Sequence, residues 1–209
     1  HELRHPLTSM RALLAAVPPP QRLAGPWQEL DGLSQRMATL LEDLLLLARL
    51  EQDGLEAAAL PQHFDLLELL EDLLRCYGPQ AAGRGLTLRL SPSPEQHQQP
   101  CRGQAEALLR LFTNLLLNAI RFSPPAGRVE VAAVRQGGRV RVRVCDQGPG
   151  VAPEHRQAMF ERFWSHGPGS HSGLGLPIAR AIARRHGGEL SLESAEPGLC
   201  VLLVDLPAA

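Results

Sequence analysis

The sequence lacks an excess of charge of either sign. Its 209 residues carry 21 Lys+Arg against 22 Asp+Glu, a formal net charge of -1 with a pI of about 6.8. No global basic field exists of the kind that favours nucleic acid or an anionic membrane surface, so neither is expected as a direct partner. No run approaches the roughly 20 apolar residues of a helical membrane span, and the opening H-E-L-R-H-P does not resemble a signal peptide. The four cysteines, Cys76, Cys101, Cys145 and Cys200, form no C-x-x-C pair and no short-chain disulfide framework, so reduced thiols are expected. What remains, 44% hydrophobic and 21% charged residues, is the composition of a globular chain with room for one large or two small cores.

Apolar residues first recur as Leu3, Leu7, Met10, Leu14 and Val17, a four-three alternation that makes one stripe on a helix. Pro18, Pro19 and Pro20 end it. After Gly25 and Pro26 the stripe returns as Leu30, Leu33, Met37, Leu40, Leu44 and Leu47, widened by Leu41, Leu45 and Leu46. Two such helices make an antiparallel hairpin whose apolar face is too wide to bury alone. Pairing with a second copy into a four-helix bundle is the expected solution, hence a homodimer through the first two helices.

Residues 53–63, with Gly54, an alanine run and Pro61, read as a linker between a domain at residues 1–52 and another at 64–209. In the second domain the pattern predicts a helix over about 65–82, a strand near 86–90, a polar loop over 91–100 and a helix over about 104–122 stopped by Pro124 and Pro125. Alternating runs at 128–135 and 139–145 flank Gly137 and Gly138 as a hairpin. A helix over about 174–186 and strands at 189–194 and 199–206 complete it. The fold class is α+β: a helical hairpin in a dimeric four-helix bundle, then an α/β sandwich with helices on one face of the sheet.

Four separated motifs carry chemistry. Asn114 and Asn118 lie one helical turn apart on one face, so two amide oxygens can converge, a donor type that suits a hard cation such as Mg²⁺. A polar stripe on an amphipathic helix has the same appearance. Asp146-Gln147-Gly148-Pro149-Gly150 follows a strand directly, where glycines let backbone approach a ligand and a carboxylate can accept the amine of adenine; alone, it is also simply a turn. Phe160-Glu161-Arg162-Phe163-Trp164 is an aromatic cluster that by itself reads as core packing. Gly173-Leu174-Gly175-Leu176 opens a helix after a flexible stretch, where free N–H groups can meet phosphate.

In this order the motifs resemble the asparagine, first glycine, phenylalanine and second glycine boxes of histidine kinases, within the wider gyrase/Hsp90/MutL ATPase superfamily. The resemblance extends to Arg185-His186-Gly187-Gly188-Glu189-Leu190 and to the last strand, ending Asp205-Leu206-Pro207. H-E-L-R-H-P-L at residues 1–7 is similar to the phosphoacceptor box of the same family. The resemblance implies a sensor histidine kinase of a two-component system that binds ATP and Mg²⁺ and passes phosphoryl to a response regulator receiver domain. It makes His1 the nucleophile and Glu2 the carboxylate that orients its imidazole. Asn118 becomes the Mg²⁺ ligand with Asn114 in support, Arg121 and Phe122 touch phosphate and adenine, and Asp146 binds the adenine amine. Gly148, Gly150, Gly173, Leu174 and Gly175 shape the nucleotide pocket, and residues 165–172 form its lid. It also implies the cytoplasmic portion of an inner-membrane sensor, because the family's first helix normally begins before the histidine. Membrane attachment is then expected only through a part preceding His1.

Three positions depart from the family pattern: His171 in the lid where a glycine is common, Cys200 near the base where threonine or serine is common, and His5 one turn after the phosphoacceptor. His5 creates a literal H-E-x-x-H, the spacing of a zinc metalloprotease. Pro6 follows at once and disturbs the helix such ligands need, and no third ligand is evident. An ATP-hydrolysing clamp of the same superfamily is a second alternative, but such clamps place a glutamate at the position of Asn114 to activate water. A non-catalytic relay is the third.

In the resembling kinases the residue at the position of His5 orients water against the receiver's aspartyl phosphate. Imidazole is bulkier and directs its polar atoms differently, and attack geometry displaced by about 1 Å can cost on the order of a hundredfold. His5→Thr is therefore expected to accelerate dephosphorylation of the phosphorylated receiver in the presence of ADP, while autophosphorylation changes less. Equal rates, or a faster rate with His5, would refute this bias.

Overall fold

The computed structural model describes residues 26–51, 62–92, 100–165 and 172–209. The first predicted helix, with His1, Glu2 and His5, most of the linker and His171 lie outside the described residues. The chain divides into two compact units, residues 1–52 and 53–209. In the first, helix α1 (Pro26–Glu51) realises the second leucine stripe. Leu33 and Met37, one turn apart on it, are 50% and 52% exposed, whereas Leu47 is buried.

The second unit begins, among the described residues, with strand β1 (Gln62–Asp65), which falls partly inside the expected linker. Helix α2 (Leu66–Ala82) follows, started by the Asp65 carboxylate, which accepts the Leu67 N–H at 2.9 Å. Then come β2 (Thr87–Pro92), β3 (Pro100–Gly103), α3 (Ala105–Phe122), β4 (Arg128–Gln136), β5 (Arg139–Asp146), α4 (Gly175–Arg185), β6 (Glu189–Glu196) and β7 (Leu199–Pro207). Strands β1 and β3 pair antiparallel as a separate two-stranded sheet, which the sequence reading did not anticipate. The main sheet has the order β2-β4-β5-β7-β6 and is antiparallel except where β2 runs parallel to β4.

Period-two alternation decides which face of this sheet is covered. On β5, Val140, Val142 and Val144 point to the core while Arg139, Arg141 and Arg143 point outward. Val131 and Ala133 of β4, and Leu202, Val204 and Leu206 of β7, share the inner face and are buried. Helix α3 meets it with Leu108, Leu111, Phe112, Leu115, Leu116, Ala119 and Ile120, and α4 with Ile178, Ala179, Ile182 and Ala183. Full burial of each leucine or isoleucine contributes about 1.5–3 kcal/mol. The outer face instead carries ion pairs, Arg139 to Asp205 at 2.7 Å and Arg143 to Glu193 at 2.6 Å, which keep it wet.

After α3 the chain turns through Pro124-Pro125-Ala126-Gly127, closed by the Gly127 N–H donating to Pro124 O at 3.0 Å. Ala126 has φ 59°, so proline second and a positive φ third give the pattern of a type II turn with alanine where glycine is favoured. Relief of left-handed strain, about 1–2 kcal/mol, exceeds the entropic cost of glycine, about 0.5–1 kcal/mol. Ala126→Gly is expected to stabilise the second unit by ~0.5–1 kcal/mol, visible as a higher urea midpoint with an unchanged slope.

Candidate functional site

Helix α3 has two sides. Its apolar seam is in the core, so the intervening residues Asn114, Asn118, Arg121 and Phe122 form a half-buried stripe along the edge of the helix layer. The Asn114 amide nitrogen donates to Gly175 O at 3.1 Å, which joins the asparagine helix to the first turn of α4 and leaves its carbonyl oxygen for a ligand. The chain contains no lysine, so every cation in it apart from histidine is a guanidinium. Burial lowers the Arg121 pKa from its ordinary value, yet a guanidinium stays charged in that setting. Its Cζ lies 4.8 Å from the centroid of the Phe122 ring.

Asp146 continues the inward register of Val140, Val142 and Val144, so its carboxylate falls on the helix-covered face and is buried. One oxygen accepts the Gly148 N–H at 2.8 Å. Cys200, its direct neighbour on β7, donates its thiol to the same carboxylate. Burial raises the Asp146 pKa above the ordinary carboxylate value, against the two hydrogen bonds that lower it. The Cys200 thiol is pushed up to about 12, by burial first and then by the neighbouring carboxylate. Sequence reasoning flagged Cys200 only as a departure; strand pairing is what places it opposite Asp146.

The glycine segments are held by close packing. A Cβ on Gly148 would lie 2.6 Å from Asp146 Oδ1 and 3.0 Å from Phe122 O, so only glycine lets the end of α3 sit against this loop. Gly148 O accepts from Gly198 N–H, and the Val151 N–H donates to Ala195 O, fastening the loop that contains Gly150 to the β6–β7 hairpin. Gly173 has φ 64°, and a Cβ there would meet the Phe163 carbonyl carbon at 2.5 Å. Leu174, fully buried, precedes α4 without a side-chain cap, so the first-turn N–H groups beginning at Gly175 have no capping side chain. Nearby, Ser172 Oγ accepts the Leu174 N–H at 3.2 Å, a contact with no sequence signal.

The aromatic cluster is not core. Phe163 is 61% exposed with φ 63°, Trp164 stands tilted against His155 with centroids 5.4 Å apart, and Arg180 lies over the Phe160 ring at 5.0 Å. Direct contacts thus form two clusters, Asn114 with Gly175 and Phe122 with Gly148 and Asp146, and helix α3 carries one member of each, two turns apart. No group of three or more metal-ligating His, Cys, Asp or Glu side chains occurs among the described residues. Nor is any described helix long and apolar enough to cross a membrane.

Residues 103–209 match the family described as histidine kinase-, DNA gyrase B- and HSP90-like ATPase. The chain is 36% identical over 203 residues to the sensor protein kinase PmrB of Pseudomonas aeruginosa, covering 92% of this chain and 40% of that protein. It is also 36% identical over 211 residues to the sensor protein SphS of Synechococcus elongatus, covering 91% and 48%. The chain therefore spans less than half the length of these curated relatives. Among solved structures, full-length ShkA in complex with AMPPNP superposes with a TM-score of 0.84 at 27% identity, over 100% of this chain and 44% of that one. The mycobacterial sensor histidine kinase MprB gives a TM-score of 0.63 at 29% identity, over 71% and 98%.

The raised Asp146 pKa has a definite sign in stability. The ionised carboxylate is less favourable in the fold than in the unfolded chain, so its penalty is present above the raised pKa and disappears as pH falls towards the ordinary value of 3.8. Asp146→Asn keeps an acceptor for Gly148 and removes the charge. It is expected to raise Tm at neutral pH, with the difference from the parent protein shrinking as acid is added; a lower Tm at neutral pH would count against the buried charge.

Proposed function

The chain belongs to the histidine kinase-, DNA gyrase B- and HSP90-like ATPase family, and from that premise we propose that it is the kinase core of a sensor histidine kinase. Its reaction is transfer of the γ-phosphoryl group of ATP to His1 and onward to an aspartate of a response regulator. The observation that carries this reading is the α3 stripe. It offers two amides and no carboxylate beside the glycine segment, in a chain that also contains H-E-L-R-H-P-L. An amide cannot take a proton from water, so the hydrolytic role that a glutamate fills in the clamp ATPases has no group here.

In this reading the buried Asp146 carboxylate accepts the adenine amine with the lone pairs that Gly148 and Cys200 leave free. Phe122 and the Gly148 backbone wall the base. The uncapped first turn of α4 and Arg121 face the phosphates, where preorganised donors lower the barrier by positioning and charge neutralisation. Mg²⁺ fits the half-buried Asn118 amide oxygen, one turn from Asn114, and supplies neutralisation of phosphate charge when bound. A His1 ring nitrogen attacks the γ-phosphorus as the bond to the bridging oxygen breaks, and ADP leaves with that electron pair. Glu2 holds the imidazole with its proton on the far nitrogen. An aspartate oxygen of the receiver then displaces the phosphoryl group from His1.

The exposed Leu33 and Met37 on α1 support a homodimer through the first two helices. Relatives named as sensors, of which this chain covers less than half, support its being one portion of a longer sensor protein.

Incubation with γ-labelled ATP and Mg²⁺ is expected to give an acid-labile, base-stable label on the protein. His1→Gln should abolish it and leave nucleotide affinity unchanged. Asn118→Ala and Asp146→Asn should each weaken Mg·ATP binding in calorimetry by roughly tenfold or more, the loss of one hydrogen bond or ligand to a charged partner. A label that survives His1→Gln, or phosphate release with no label, would place the chemistry elsewhere.

A further inference from the structure

Helices α3 and α4 are antiparallel neighbours joined by hydrogen bonds at both ends of their shared length. At one end, Asn114 Nδ2 donates to Gly175 O. At the other, the Gln104 N–H, at the N-cap of α3, donates to Nε2 of His186 at 3.1 Å, just past the C-terminus of α4. From Gln104 to Asn114 α3 rises about 15 Å, and from Gly175 to His186 α4 rises about 16.5 Å. The two spans match, so the pair of bonds fixes the axial register of one helix against the other.

His186 is built to make its bond in one protonation state. A backbone N–H can only donate, so Nε2 must be unprotonated; the proton then sits on Nδ1, which donates to Ile182 O at 2.8 Å. The ring is also gripped from β3, where a Cβ on Gly103 would lie 2.6 Å from His186 Cδ2 and 3.0 Å from Nε2. Gln104 itself supplies no side-chain cap to α3. The imidazole thus caps α3 from outside while being anchored to α4.

We propose that His186 is a positioning residue for the nucleotide site, holding the asparagine helix in register with the glycine-opened helix through its neutral Nδ1–H tautomer. The inference rests on the nucleotide-binding reading above. Register is what sets Asn114 against the first turn of α4 and Asn118 one turn beyond it on α3, and a shift of about 1 Å in such an arrangement can cost on the order of a hundredfold. Packing alone does not fix it, because apolar contacts are non-directional.

The test uses the full chain with His186→Leu, which removes both polar atoms, and His186→Gln, whose amide oxygen reaches the position of Nε2. Ile182→Val, a core truncation one turn earlier, is the control for lost stability. Mg·ATP affinity by calorimetry is expected to fall about tenfold in His186→Leu, to return within about threefold in His186→Gln, and to be unchanged in Ile182→Val although its Tm is lower. Side-chain ¹⁵N spectra of the parent protein at neutral pH should show Nε2 unprotonated. Parent-like affinity in His186→Leu, no recovery in His186→Gln, or an Nε2–H tautomer would overturn the proposal while the nucleotide reading stands. Absence of Mg·ATP binding by the parent protein would overturn that reading and the proposal with it.

Discussion

The burial of one side of helix α3 is the constraint on which the site depends. Leu108, Leu111, Phe112, Leu115, Leu116, Ala119 and Ile120 are all essentially inaccessible to water, so the helix cannot rotate about its axis without exposing several large apolar side chains. That fixes the direction in which Asn114, Asn118 and Arg121 project. The hydrophobic core therefore aims the polar stripe, and the stripe needs no interaction of its own to face the ligand side. Both ends of the helix are also held from outside it: His186 accepts at the first turn, and Arg84 donates to Ile120 O and Arg121 O at the last. A guanidinium on terminal carbonyls also complements the helix dipole.

A second consequence of packing is electrostatic. Alternation along β5 sends three arginines outward to carboxylate partners in water and one carboxylate, Asp146, inward. The outer pairs cost little and stabilise little. The inner carboxylate is different, because burial raises its pKa and only a peptide N–H and a weak thiol donor compensate it. In the proposed nucleotide site, an under-compensated acceptor beside the Gly148 loop is what the adenine amine would satisfy. The strand thus places a destabilising group where binding can recover the loss.

The elements most legible in the sequence are those with long, clean periods. The α3 helix was expected at about 104–122 and runs from Ala105 to Phe122, because one face is unbroken apolar, from Leu108 to Ile120. The β4–β5 hairpin was equally plain from strict alternation around Gly137 and Gly138. The β1–β3 sheet was not, since Gln62–Asp65 and Pro100–Gly103 are four residues each, the first mainly polar and the second bounded by a proline and a glycine. Neither run carries a pattern of its own; each exists because the other supplies its hydrogen bonds across 34 intervening residues or more.

By itself the sequence determined the order of the longer helices and strands, that helices cover one face of the main sheet, and the residue types of the proposed site. Those follow from local period and from spacing along the chain. Tertiary structure alone decided that Cys200 abuts Asp146, that the phenylalanine segment turns Phe163 to water, and that His186 reaches Gln104. Each of these depends on two segments far apart in sequence meeting in one register, and register is set by the hydrogen bonds and packing of the whole unit together, which no local pattern encodes.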